Sequence, residues 1–279
     1  MNTEQGIQFR KRRELGTIFS DSFLFLKQEI KPISKLVAVY VLPFIILYAI
    51  VQVYLQKNIL GKIDLSDTEN LMANIGPVYM NILIFSLFGL FVQALLIATF
   101  YTYIDLYVKK GKGNFDVSEV SNQLFSNGLL AIGLSLVIFV IVVFGIILCI
   151  LPVIYFAVTL SPAFFILLFE RQGIGNAITR SAFLVNRQWL ATFAINIIGL
   201  IIIWIVSLII SFPSMIAGFT FTVVGQAQTP LDYPTWFWVL SGFSTVVSSV
   251  LYVIPYTFLA MQYFNLDELT KPELPSNKI

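Results

Sequence analysis

The chain has 279 residues, of which 58% are hydrophobic and only 11% are charged, against about 25% in an ordinary soluble domain. A soluble protein of this size cannot keep so much apolar surface away from water, so the composition predicts an integral membrane protein. The net charge of +2 gives no reason to expect a nucleic-acid partner, and the single cysteine excludes an internal disulfide bond.

Five stretches of the sequence contain no Asp, Glu, Lys or Arg. They are 36–56, 70–104, 120–169, 188–231 and 233–266. A helix needs about 20 apolar residues to cross the hydrocarbon layer. The third stretch is long enough for two crossings, divided near Leu151 and Pro152, and the fourth holds one crossing followed by a Gly/Pro-rich tail from Phe212 to Leu231. The sequence therefore predicts an all-α, polytopic membrane helix bundle with six transmembrane helices in one integral membrane domain, 1–279.

The two ends of the chain are predicted to lie outside this bundle. Residues 1–13 are basic and are expected to be flexible, as is the C-terminal tail, 268–279. Between the basic end and the first crossing, residues 14–31 are predicted to form an amphipathic helix lying in the membrane interface. Its apolar stripe is Leu15, Phe19, Phe23, Leu26 and Ile30, opposite Thr17, Asp21 and Gln28.

The loop after the first crossing carries a capping-box pattern, Ser66 to Glu69, ahead of Gly76 and Pro77. The pattern indicates either a short helix that stops at the Gly-Pro pair or an unstructured turn.

Lysine and arginine resist translocation, so their distribution predicts orientation. Fifteen of the 17 basic residues fall in the N-terminal region, the 105–127 and 170–188 loops and the C-terminal tail. Only Lys57 and Lys62 fall on the other side of a six-helix topology. We therefore expect both termini in the cytoplasm.

Two later segments resemble the interfacial helix. Val117, Val120 and Leu124 form a short apolar stripe before the third crossing, and a longer stripe precedes the fifth: Ile174, Ile178, Ala182 and Val185. The pattern predicts three parallel repeats, each an interfacial helix followed by a transmembrane hairpin. The alternative is the weak self-similarity that any apolar chain shows.

Within the membrane, small and hydroxyl side chains favour contacts between helices. The best candidate contact face is Ser241, Gly242, Thr245 and Ser249 on the last crossing. Prolines at 43, 162 and 255 predict kinks. The deeper polar residues Gln52, Gln93 and Asn196 are expected to bond neighbouring helices, and the same residues would line a cavity if the protein binds a solute.

Catalytic patterns are missing from the sequence. The absence of histidine removes Ser-His-Asp and Cys-His arrangements, and no nucleotide-binding loop or metal-ligand spacing occurs, so we expect no enzyme activity, no cofactor and no metal. One charged residue stands out. Arg180 lies on the polar face of the third amphipathic segment, where its counterpart in the first is Asp21. We expect Arg180 to pair with Asp21 or to hold a lipid phosphate, unless it is a solvated charge that serves only orientation.

Two short motifs carry a family resemblance: Arg13 to Ile18 before the first amphipathic segment, and Ala177 to Ser181 before the fifth crossing. With the six-helix layout, they resemble the membrane domain fused to some bacterial glycerophosphodiester phosphodiesterases and related bacterial membrane proteins. In the fused enzymes the chemistry belongs to a separate soluble domain. The resemblance therefore implies a membrane domain without that activity, in a bacterial cytoplasmic (inner) membrane, and supplies no functional residues.

Two functions fit these patterns. The first is a non-catalytic membrane subunit or scaffold that binds lipids, other membrane proteins or further copies of itself. The second is a transporter or flippase-like carrier of a lipidic or uncharged solute. A cavity lined by Gln52, Gln93 or Asn196 would favour the carrier, and a solid helix bundle would favour the scaffold.

Overall fold

The computed structural model describes residues 6–58, 68–148, 150–223 and 233–271. All regular structure in these ranges is helical. The helices are α1 (Leu15–Tyr40), α2 (Leu42–Asn58), α3 (Thr68–Lys110), α4 (Val117–Leu148), α5 (Ile150–Leu160), α6 (Ala163–Phe169), α7 (Ile174–Asn186), α8 (Trp189–Val223), α9 (Thr235–Leu251) and α10 (Val253–Thr270).

Five segments of the described chain are long and apolar enough to cross a membrane. They are Ile75–Lys110, Val117–Ile146, Leu151–Phe169, Trp189–Thr220 and Thr235–Thr270. Helices α1 and α2 together make a sixth if this bent pair counts as one crossing. Large apolar side chains are exposed along these helices, as expected where a bilayer would cover them. The predicted helical membrane bundle is thus confirmed, with five crossings or six.

The first crossing differs from its predicted form. The helix expected over 14–31 continues through Pro32 to Tyr40, and the chain bends by 57° before α2 begins. Pro43 is the second residue of α2, a position where proline is tolerated because its missing N–H has no partner inside the helix. The boundary therefore follows Pro43 and not the end of the amphipathic pattern.

The other two predicted kink sites also stand beside helix breaks. Pro162 separates α5 from α6, and Pro255 is the third residue of α10, just after α9 ends. By contrast, Pro77 lies inside α3 and Pro213 inside α8. The expected stop at Gly76-Pro77 is therefore wrong, as is the tail expected from Phe212, because α8 continues to Val223. Ser66 and Asp67 of the capping-box pattern lie outside the described residues.

Of the three predicted amphipathic segments, only α7 is a separate helix. The segment that begins at Val117 is the first part of the continuous helix α4, and residues 14–31 belong to α1. Separate interfacial helices therefore do not recur, because nothing in the first turns of α4 interrupts its hydrogen-bond ladder. The relation between the three hairpins stays a prediction.

The chain forms two compact units. Unit 1 comprises residues 1–36, 94–200 and 253–279, and unit 2 comprises 37–93 and 201–252. The core of unit 1 is aromatic. Phe264 lies at its centre, with its ring centroid 5.6 Å from Phe9, 5.4 Å from Phe165 and 5.1 Å from Phe169. Helix α10 is buried on every face from Thr257 to Asp267, as expected of a helix surrounded by others.

The segment before α1 packs against this core. Phe9 is 3% exposed and its ring meets Phe25 edge-on at 5.0 Å. The side chain of Arg13 is 1% exposed. Residues 9–13, predicted to be flexible, are thus held in place by an aromatic anchor and a buried arginine. At the other end, helix α10 extends to Thr270, and residues 272–279 of the predicted tail lie outside the described residues.

In unit 2, helix α2 packs along α9. A Cβ placed on Gly242 would lie 3.5 Å from Val53, an ordinary contact distance. Tyr48 of α2 stacks on Phe85 of α3, with ring centroids 4.5 Å apart and planes 7° from parallel. These contacts pack α2 against both α3 and α9.

Candidate functional site

Arg180 and Asp21, which were predicted to pair, have other partners. Arg180 of α7 donates from Nη2 to Asp267 Oδ1 at 2.7 Å, and its Nε lies 3.4 Å from Glu170 Oε1. Asp21 instead accepts from Arg13 Nε at 2.8 Å. The predicted Arg180–Asp21 pair is therefore wrong: each residue has a different partner, because α7 packs against α10 and the N-terminal segment packs against α1.

Arg13 is the most fully bonded of these cations. Its guanidinium donates to the backbone oxygens of Phe9, Lys11 and Gln8 as well as to Asp21. Its backbone N–H donates to Asn265 Oδ1 at 2.7 Å. A buried arginine is tolerated only when its donors are satisfied in this way. Arg13 therefore ties the N-terminal segment to both α1 and α10.

Arg171 makes a second bridge, between α3 and α4. Its Nη1 donates to Asn127 Oδ1 at 2.7 Å, its Nη2 donates to Gln123, and the same Nη2 lies 3.6 Å from Asp105 Oδ2. Its backbone adopts a φ of 55°, a conformation unusual for residues other than glycine. Three partners on two helices hold the side chain in place against this strain.

Helix α1 also carries a buried carboxylate, Glu29. Glu29 is 4% exposed and accepts a hydrogen bond from Tyr103 of α3 at 2.5 Å. Its other oxygen lies 3.9 Å from Lys112 Nζ.

Close to the end of α10, the side-chain hydrogen bond to Glu268 raises the pKa of Lys271, which also lies 3.3 Å from Asp267.

These ion pairs form a charge network in unit 1. The buried carboxylates Glu29, Asp105 and Asp267 each have a cation within 4 Å, so each is compensated. In the described ranges, no group of His, Cys, Asp and Glu is placed to hold a metal ion.

A groove of about 850 Å³ lies between residues 6–10 and 107–113. Its basic side chains, Arg10 and Lys112, already lie near Asp267 and Glu29.

Unit 2 offers a site of another kind, and it includes most of the predicted contact face. Thr245 of α9 donates to Gln52 Oε1 of α2, and Ser241 donates to Gln56 at 3.5 Å. Gly242 faces Val53. The structure thus places Ser241, Gly242 and Thr245 against α2, while Ser249 bonds back to the carbonyl of Thr245 at 2.8 Å.

Beside this contact lies a cleft of about 490 Å³, which we call the hydroxyl cleft. Its lining consists of Tyr48, Gln52, Ser211, Ser214, Met215, Phe237, Ser241, Ser244, Thr245, Ser248, Ser249 and Tyr252. Nine of these twelve side chains carry a hydroxyl, and one carries an amide. None is Asp, Glu, Lys or Arg. The cleft is therefore rich in hydrogen-bonding groups but has no formal charge.

Most of the hydroxyls come from α8 and α9, whose serines face each other. Ser211 of α8 bonds Ser244 of α9 at 2.8 Å, and the neighbouring pair Ser207 and Ser248 is also 2.8 Å apart. The spacing is four residues on α8 and four on α9, one helical turn, so both pairs lie on the facing surfaces. This row fixes two of the cleft walls.

Hydrogen-bonding capacity remains in the lining. A hydroxyl that donates to a neighbour keeps lone pairs that can accept from a ligand. Ser214 Oγ is buried and makes no hydrogen bond with the described residues. Gln52 uses its Oε1 to accept from Thr245, and its amide N–H groups donate to no described residue. The cleft can therefore accept several hydrogen bonds from a ligand and donate at least one.

The sequence pointed to Gln52, Ser241, Thr245 and Ser249, but it did not place Ser211 and Ser214 of α8 in a cleft with them. The pattern was visible in the sequence, because Ser207, Ser211 and Ser214 recur at helical spacing on one face of an otherwise apolar helix. The other deep polar residues belong elsewhere. Asn196 of unit 1 donates to Ser161 at 3.0 Å, which is a helix contact as predicted.

Comparison with known proteins adds nothing to this geometry: no protein-family model, curated protein or solved structure matches the chain.

Proposed function

We propose that this integral membrane protein binds an uncharged, hydroxyl-bearing molecule in the hydroxyl cleft, as a carrier of a lipidic or uncharged solute. The observation that carries the proposal is the cleft itself, because it brings Gln52 together with hydroxyls from α8 and α9. Polar groups inside membrane proteins are costly and commonly mark substrate paths. A concave site with several convergent polar groups is the usual form of a binding site.

The absence of charge in the lining argues for an uncharged ligand. A buried charge without a partner costs far more than a neutral polar group with the same number of hydrogen bonds. A phosphate or carboxylate in this cleft would meet no lysine or arginine among the lining residues. A sugar, a polyol or the headgroup of a neutral lipid would instead exchange its water hydrogen bonds for those of Ser, Thr, Gln and Tyr.

The scaffold hypothesis is the second candidate, and unit 1 favours it. Its core is filled by α10 and by stacked aromatic rings, and its charges pair with each other. Such a solid unit suits a protein that acts through its surfaces. Lipid phosphate at Arg180, the other sequence-based hypothesis, would have to displace Asp267 and Glu170 from the guanidinium.

The test is to identify what the protein retains on purification. The wild-type chain is purified in mild detergent and analysed by native mass spectrometry and lipid extraction. Under the carrier proposal it retains a neutral, hydroxyl-bearing species, and the double variant Ser211→Ala with Ser244→Ala loses it. Ser135→Ala is the matched control, because Ser135 bonds only its own helix, at Ala131 O.

The opposite result is equally clear. A stoichiometric protein partner, with no small molecule whose retention depends on Ser211 and Ser244, would support the scaffold and overturn the carrier.

We further propose that both termini lie in the cytoplasm of a bacterial cell, with the chain in the cytoplasmic membrane. The distribution of basic residues supports this orientation. A reporter fused within 56–67 or 224–232 should read as external, and one within 111–116 as cytoplasmic. An internal reading in either of the first two regions would contradict the topology. The family resemblance stays a prediction and implies no catalytic activity.

A further inference from the structure

A second, smaller cavity adjoins the hydroxyl cleft. It encloses about 150 Å³ and is lined by Gln52, Leu55, Gln56, Val78, Asn81, Ile82 and Phe85. We call it the apolar pocket, because most of the surface that it presents is hydrocarbon and aromatic. It lies between α2 and α3, whereas the hydroxyl cleft lies among α2, α8 and α9.

Two contacts join the cavities. Gln52 lines both. Tyr48 of the hydroxyl cleft also stacks on Phe85 of the apolar pocket, with centroids 4.5 Å apart. A Cβ on Gly89 would lie 3.2 Å from the Tyr48 hydroxyl, so glycine at this position leaves room for the tyrosine. Gln52 therefore stands where the two cavities meet, and the Tyr48–Phe85 stack lies beside it.

The two cavities differ in chemistry in the way that the two ends of an amphiphile differ. One offers hydroxyls and an amide without charge. The other presents mainly the hydrocarbon and aromatic surface of Leu55, Val78, Ile82 and Phe85, beside the amides of Gln52, Gln56 and Asn81. Resting on the carrier proposal, we infer that the ligand is a neutral amphiphile. Its hydroxylated head occupies the hydroxyl cleft, and its hydrocarbon chain passes Gln52 into the apolar pocket.

Gln52 has a defined part in this arrangement. Its Oε1 is held by Thr245, which leaves its amide N–H groups to donate to an oxygen of the head. An ester, ether or glycosidic oxygen stands where the head of such a molecule meets its chain. Gln52 is thus the residue that recognises the junction of the ligand, while the hydroxyls around it recognise the head.

The experiment uses the full chain in phosphatidylcholine nanodiscs and a photoreactive monoacylglycerol with a diazirine near the end of its acyl chain. Labelling is mapped by mass spectrometry. We expect saturable labelling of the α3 segment 78–85. Unlabelled monoacylglycerol should compete. The monoacyl phosphate with the same chain should compete roughly tenfold less well, and glycerol should not compete.

Three variants locate the effect. Ile82→Trp fills the apolar pocket and should reduce labelling about tenfold or more. Ile84→Trp is the matched control, because Ile84 is on the same helix, is 58% exposed and does not line the pocket. Gln52→Leu should weaken monoacylglycerol binding while leaving the fold intact, which is checked by the unfolding midpoint.

The possible failures are distinct. If glycerol competes as well as monoacylglycerol and Ile82→Trp has no effect, the chain does not use the apolar pocket, and this inference is overturned while the carrier proposal stands. If the monoacyl phosphate competes equally, neutral selection is overturned. If neither glycerol nor any amphiphile competes with the labelling, and the double variant Ser211→Ala with Ser244→Ala retains the same species on purification as the wild type, the carrier proposal itself fails.

Discussion

In unit 1, arginine side chains connect different segments: Arg13 bonds Asp21 of α1, Arg171 bonds α4 and Arg180 bonds α10. In unit 2 the corresponding connections are hydroxyl pairs, such as Ser207 with Ser248 and Ser211 with Ser244. Hydrogen bonds to charged groups are about twice as strong as those between neutral groups. The difference suggests a division of labour, in which unit 1 maintains the fold and unit 2 keeps neutral groups available to a ligand.

The largest effect should follow from Arg13→Ala. Its removal leaves Asp21 and three backbone oxygens without their donor at a position where the side chain is 1% exposed. We expect the free energy of unfolding to fall by about 3 kcal/mol, the scale for breaking a buried pair, measured by SDS-induced unfolding in mixed micelles. Lys11→Ala is the control, because it removes the same charge from a side chain that is exposed. Equal effects of the two changes would mean that burial of Arg13 is unimportant.

The next effect concerns close packing. A Cβ on Gly199 would lie 2.8 Å from the Cβ of Pro255 in unit 1. We expect Gly199→Ala to destabilise the protein by about 1–3 kcal/mol, the usual cost of overpacking. Gly128→Ala should be harmless, because nothing lies within 4 Å of the new methyl group. In unit 2, Gly89→Ala meets only the far end of Tyr48 and should cost less. If Gly89→Ala destabilised the protein more than Gly199→Ala, unit 1 would not be the more closely packed unit at these positions.

A smaller effect tests the corrected ion pair. A double-mutant cycle on Arg180→Ala and Asp267→Ala should give a coupling of about 1 kcal/mol, since the Arg180 side chain is 29% exposed and solvent weakens the pair. The same cycle on Arg180→Ala and Asp21→Ala should be additive. Non-additivity between Arg180 and Asp21 would restore the partner that the sequence predicted.

The smallest effect on stability should come from the hydroxyl cleft. Ser244→Ala removes one hydroxyl pair, and such bonds within membranes contribute about 0.6 kcal/mol on average. We expect an unfolding change no larger than this, together with reduced retention of the ligand. A loss of stability comparable to that of Arg13→Ala would show that the hydroxyls of unit 2 are structural, and the contrast between the units would disappear.

The sequence was sufficient for those features that depend on composition. Charge-free stretches located the crossings, and Pro43, Pro162 and Pro255 marked helix breaks. It was insufficient where tertiary contacts decide. Pro77 and Pro213 share the same local chemistry but lie inside continuous helices, because the loss of one backbone bond does not by itself end a long apolar helix.

The functional-site residues also divide into those that the local sequence indicates and those that depend on contacts between distant helices. Gln52 and the serine row of α9 were recognisable, since polar residues within an apolar stretch are few. The partner of Arg180 was not, because Asp267 is 87 residues away and no local pattern records such a contact. The buried Glu29 was missed for the same reason: its partner Tyr103 lies on another helix, 74 residues away.

The absence of Asp, Glu, Lys and Arg from the hydroxyl cleft has a consequence for energetics across the bilayer. An elementary charge that crosses a membrane potential of about 100 mV changes its energy by about 2.3 kcal/mol. A neutral ligand in a lining without formal charge carries no such charge with it. If the protein carries such a ligand, as we propose, voltage would neither drive nor oppose its passage, and net movement would follow the concentration difference between the two leaflets.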